Sequence, residues 1–168
     1  MKRLFVIIIA AILTLCTGCS SDKQSVSDEV LEARTALYME FRSDNKTVFP
    51  DNYAGYFFDD GGKKLVVNMV GDTSEYEFLR ESYKCVELRP VEKTLSELED
   101  MAKQFEDEVK EAFPELEYVY GEANTELNCA TIRLDDSVIK NAELMEKLNA
   151  KFDGYPLVFE EPIVGYPV

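Results

Sequence analysis

Apolar positions change period along the chain, and each change marks an element. Between Val26 and Arg42, Val30, Ala33, Leu37 and Phe41 recur at steps of three and four, with Leu31 and Tyr38 widening the stripe. That spacing predicts an amphipathic helix with Ser25 or Ser27 as its cap. Two apolar runs follow, Ala54–Phe58 and Leu65–Val70, on either side of the polar loop Asp59-Asp60-Gly61-Gly62-Lys63-Lys64. Both runs are rich in aromatic and β-branched residues, and the loop glycines accept positive φ, so the segment reads as a β-hairpin. Asp72 and Glu75 have the spacing of a capping box, and Thr73–Ser82 leads into a helix carrying Tyr76, Leu79 and Tyr83 on one face. Lys84–Leu88 alternates, with Val86 and Leu88 to one side, and Pro90 ends it as a strand.

The second half has the same order. Thr94-Leu95-Ser96-Glu97 is a full capping-box pattern. The helix it opens places Leu95, Leu98, Ala102, Phe105, Val109 and Ala112 on one face and acidic residues on the other. Phe113-Pro114 closes it. Leu116–Tyr120 and Leu127–Leu134 are expected to be strands around a turn at Gly121–Glu126. Asp136–Phe152 is expected to be one helix with Ile139, Ala142, Met145, Leu148 and Phe152 inward, and Gly154 its C-terminal cap. Tyr155–Glu160 is the last strand.

Helix, strand, strand, helix, strand therefore occurs twice. Phe49-Pro50 and Phe113-Pro114 lie 64 residues apart, and the same offset carries Val66–Asp72 onto Ala130–Asp136. The expected fold is α+β, with two αββαβ lobes at 26–91 and 92–160, each a three-stranded sheet with helices on one face.

The first residues read as a targeting segment. Lys2 and Arg3 precede Leu4–Leu15, twelve residues with only Thr14 polar, too few to span ~30 Å of hydrocarbon. Leu15-Cys16-Thr17-Gly18-Cys19 resembles the lipobox of bacterial lipoproteins, with Cys16 standing where that motif has an aliphatic residue. The resemblance implies cleavage after Gly18, a diacylglycerol on Cys19, and an exported protein anchored to the outer face of a membrane. Cutting nearby as a plain secretory signal is the alternative. Ser20–Ser25 is the polar tether. Removing 18 of the 168 residues leaves 150, enough for a real core, and takes the net charge from −15 to −17. A chain this acidic does not bind nucleic acid through phosphates, which requires clustered Lys and Arg. Cys85 and Cys129 suit either an exported disulfide or two buried thiols, the latter preferred. The sequon Asn45-Lys46-Thr47 carries no weight in a bacterial lipoprotein.

Tyr53-Ala54-Gly55-Tyr56-Phe57-Phe58-Asp59 and Gly62–Val70, with Ser82–Val91, the helix start Leu95-Ser96-Glu97-Leu98, and Asn124 or Asn128 ahead of Ile132, resemble the pro-regions of secreted serine proteases of the alpha-lytic protease and streptogrisin type. The likeness covers about residues 52–136 and is one of pattern. It implies a folding chaperone and inhibitor whose C-terminal tail enters the protease cleft. Here no protease follows Val168, so any such action is expected in trans. The corresponding tail, after Glu161 and Pro162, is Ile163, Val164, Gly165, Tyr166, Pro167 and Val168; an ordinary frayed terminus is the plainer reading.

Candidate chemistry is sparse. The chain contains no histidine, which removes Ser–His and Cys–His nucleophiles and the commonest metal ligand. The pairs Asp59-Asp60 and Asp135-Asp136 and the acidic face Glu97–Glu111 read as solvated surface, because a catalytic dyad needs burial to raise one pKa. The Asp59–Gly62 loop lacks the ligand spacing of a calcium loop. Tyr53, Tyr56, Phe57 and Phe58 suit either a sticky surface or, better, a core. The expectation is a non-enzymatic, membrane-tethered protein without cofactor or metal, contacting an exported serine protease or other protein. An envelope module with no protease partner is the alternative.

Overall fold

The computed structural model describes residues 26–161. Its elements are α1 (Asp28–Glu40), the short strands β1 (Arg42–Ser43) and β2 (Lys46–Thr47), β3 (Tyr53–Asp59), β4 (Lys64–Met69), a 3-10 turn at Ser74–Tyr76, α2 (Glu77–Ser82) and β5 (Val86–Pro90). After these come α3 (Leu95–Ala112), β6 (Val119–Asn124), β7 (Cys129–Leu134), α4 (Asp136–Ile139), α5 (Ala142–Lys151) and β8 (Leu157–Glu160). The fold is α+β: two three-stranded sheets in the orders β3-β4-β5 and β6-β7-β8, and the extra hairpin β1-β2. In each larger sheet the first two strands are antiparallel and the third returns parallel to the second after a helical crossover.

Each lobe has its own core. In the first, Leu65, Val67 and Met69 of β4 meet Val30, Ala33 and Leu37 of α1 and Tyr76 and Leu79 before β5. Aromatic rings fill the space between helix and sheet, with Tyr53 stacked on Phe49 at 3.9 Å and Phe41 5.4 Å from Tyr76. The Tyr76 hydroxyl is buried without a hydrogen-bond partner among the described residues. Tyr76→Phe is therefore expected to leave stability unchanged or raise it by up to about 1 kcal/mol, read from the urea midpoint. In the second lobe, Ala130, Ile132 and Leu134 of β7 pack on Ala102, Phe105 and Val109 of α3 and on Leu148 and Phe152.

The two lobes correspond at a different offset from the one the sequence suggests. The inward residues of β4 are odd-numbered and those of β7 even-numbered. Strand residues alternate faces, so an even offset of 64 would lay core positions of one sheet on outer positions of the other. An offset of 65 restores both strands of the hairpin. It carries the pair Phe58↔Leu65 onto Ala123↔Ala130, and Tyr56↔Val67 onto Gly121↔Ile132.

Where the first sheet carries Tyr56, the second carries Gly121, and the difference sets how closely the helix approaches. A Cβ on Gly121 would lie 2.3 Å from the Ala102 carbonyl oxygen of α3. Gly121 is thus a mid-strand residue beneath a helix, not the start of a turn; the turn is Thr125–Asn128, between β6 and β7. Glu106 of α3 uses this proximity, accepting the Gly121 N–H at 2.8 Å while pairing with Lys110. Burial pushes its carboxyl upward, but Lys110 and the Gly121 N–H outweigh that and hold it below the usual carboxylate range. The resulting stability is present above the unfolded value near pH ~4.3 and lost as pH falls through the folded one. The melting-temperature gap between the natural chain and Glu106→Gln is accordingly expected at pH 7 and to close toward pH 3.

Other departures are local. The Thr94–Glu97 capping box of α3 forms as expected. The Asp72–Glu75 box does not: Asp72 accepts from the Ser74 N–H and hydroxyl, and the chain makes a 3-10 turn before α2. The expected Asp136–Phe152 helix breaks at Lys140-Asn141, where Asn141 accepts from the Leu144 N–H and starts α5 afresh. Leu116–Tyr118, Leu127–Asn128 and Tyr155–Pro156 lie outside strands, and the last strand is Leu157–Glu160. The hairpin β1-β2 turns through Asp44 and Asn45, both at positive φ.

Candidate functional site

Cys19 and the tail residues Ile163, Val164, Gly165, Tyr166, Pro167 and Val168 lie outside the described residues. Among the described ones, the acidic candidates are occupied with local structure. Asp59 accepts the Asp60 N–H at 2.7 Å, and its carbonyl receives the N–H groups of Gly62 and Lys63, closing the β3–β4 turn. Asp136 pairs with Lys140 one helical turn on, while Asp135 caps α4 through its backbone position. No group of three or more Cys, Asp or Glu side chains is gathered for a metal ion among the described residues. Of the aromatic quartet, Tyr53 is buried and Tyr56 and Phe58 pack on the first core. Phe57 faces the other side of the sheet, with the Arg89 guanidinium 4.7 Å above its ring.

Both described cysteines are free thiols, Cys129 buried and Cys85 half-buried. Burial pushes both thiols up, and the charge of Glu29 near Cys85 and of Glu160 near Cys129 pushes further. The thiolate is the nucleophile, so these groups are poor ones at neutral pH. Alkylation of either at pH 8 is expected at about one-tenth the unfolded-chain rate or less. Peptide mass mapping after iodoacetamide treatment checks this; fast labelling of Cys129 in the folded chain would contradict it.

What the surface does offer lies on the second lobe. Strand β8 hydrogen-bonds to β7 on one side and forms the edge of its sheet. Beside its start is an open groove lined by Val91, Lys93, Leu127, Tyr155, Pro156 and Val158. Leu127 is 58% and Tyr155 52% exposed. Tyr155 is nevertheless fixed, its ring edge-on to Phe105 at 5.3 Å, because the chain turns back after α5 through Gly154 at φ +80°. A groove with a largely apolar lining, bordered by Glu92, Lys93 and Asn128 and next to a strand edge that has no second partner among the described residues, suits a protein surface better than a small polar substrate. Across the strands of the same sheet, Arg133 of β7 bridges Glu122 of β6 and Glu160 of β8, at 14% side-chain exposure. Sequence reasoning placed Leu127 and Tyr155 inside strands and so missed them as surface residues.

A scan against protein-family models and a search of curated proteins find no match to this chain.

Proposed function

We propose that this chain is an exported lipoprotein, tethered through Cys19, that acts by protein contact and carries no catalysis of its own. Its partner is an exported serine protease, which it inhibits or helps to fold in trans. The observation that carries the reading is the open edge of β8, flanked by exposed Leu127 and Tyr155, which runs in sequence directly into residues 161–168. The pro-region likeness of Tyr53–Asp59 and Gly62–Val70 names the class of partner. The Gly18-Cys19 junction supports the tether.

The test is titration of the mature chain into each serine protease exported by its source. Slowing at stoichiometric ratios is expected, lost when the chain is cut after Glu160. Cys19→Ser is expected to leave inhibition intact while releasing the protein from the membrane fraction. If no protease is bound or slowed, the protease assignment falls and an envelope module without that partner remains.

A further inference from the structure

The densest polar network among the described residues joins the two lobes to each other. The turn Thr125–Asn128 at the tip of the β6–β7 hairpin rests on the outer face of the first sheet. Arg89 of β5 donates to Asn68 Oδ1 at 2.9 Å, to the Thr125 carbonyl at 3.0 Å and to the Glu126 carbonyl at 2.7 Å. Asn68, fully buried in the middle of β4, donates to the same Thr125 carbonyl. Thr125 in turn donates its hydroxyl to the Tyr56 carbonyl of β3 at 2.9 Å. Asn128, held at φ +52°, accepts the N–H groups of Glu92 and Lys93 and donates to the Lys93 carbonyl, so the connector between lobes is pinned from the same turn.

Two features set this apart from ordinary surface polarity. The guanidinium is spent on carbonyl and amide oxygens at fixed backbone positions, and none of the ion pairs among the described residues includes it. Its planar donor fork thus reads the position of the opposite lobe's main chain. The first sheet is also shaped to receive the turn. Gly55 sits in a bulge of β3 at φ +90°, where a Cβ would come within 2.3 Å of Thr125 Cγ2.

The lobes also meet where Leu95 of α3 packs against the first core, but two small lobes with a limited apolar contact are expected by default to move relative to one another. We infer that the Thr125–Asn128 turn is a clasp that, through Arg89 and Asn68, makes the two lobes open and close as one cooperative unit in one relative orientation. Thr125 and Asn128 belong to neither hydrophobic core, so the clasp can be removed without dismantling either lobe. The clasp involves the lobes alone and forms whether or not the tail engages a protease.

Native-state hydrogen exchange on the full chain, followed by mass spectrometry across a denaturant series, reads it directly. In the natural chain the slowest amides of β4 and β7 are expected to share one opening equilibrium. In the double variant Thr125→Ala, Asn128→Gly, which keeps a residue tolerant of positive φ at 128, the two sets are expected to separate by tenfold or more in protection. Arg89→Ala should move them the same way. Separate openings in the natural chain overturn the clasp, and so do variants whose lobes still open together.

Discussion

Gly121→Ala is expected to destabilise the second lobe by about 3 kcal/mol or more, measured by urea unfolding. The cause is space. The added methyl would sit 2.3 Å from the Ala102 carbonyl oxygen and 3.2 Å from Glu106 Cβ. The first of these is helix backbone and cannot rotate away. Relief requires α3 to lift from β6, which separates Phe105 and Val109 from Ile132 and Leu134 and stretches the Glu106 to Gly121 bond. A change below 1 kcal/mol would mean that α3 slides freely over the sheet.

Asn68→Leu is expected to cost about 2–4 kcal/mol, although the two side chains share the same branching and the same number of heavy atoms. An apolar side chain on a fully buried strand position would ordinarily be welcome. Here it strips an acceptor from Arg89 and a donor from the Thr125 carbonyl, leaving polar groups desolvated at the lobe boundary. The loss should appear in the first lobe and in its coupling to the second, with the α5–β8 region keeping its own protection in hydrogen exchange. A Leu variant as stable as the natural chain would show that water reaches Arg89 freely.

Much of this architecture was legible because local signals agreed with the fold. The period of α3 and its Thr94–Glu97 box, the β3–β4 hairpin and the doubled αββαβ order all read directly. What failed were signals with two physical meanings. Gly121 looked like a turn residue, yet its function is to let a helix approach, which only tertiary packing reveals. Asn141 lies inside a continuous apolar period, which hides its role as the cap of α5. The offset of 64 rested on the Phe-Pro pairs and on aspartates after strands, and those say nothing about which face a strand buries. The clasp left no pattern, since Arg89 reaches main-chain carbonyls that carry no side-chain identity. Of the candidate site, Cys19 and the tail come from sequence alone. The rim at Leu127 and Tyr155 emerges only once the strand limits are known.

The most direct test of action by protein contact is capture. Immobilised chain from Ser20 to Val168 is exposed to the secreted and surface proteins of its source, alongside a copy ending at Glu160. A serine protease retained by the longer chain and lost from the shorter one is the expected result. Retention of the same protease by both would move the contact from the tail to the lobes, and retention of no protease by either would contradict it.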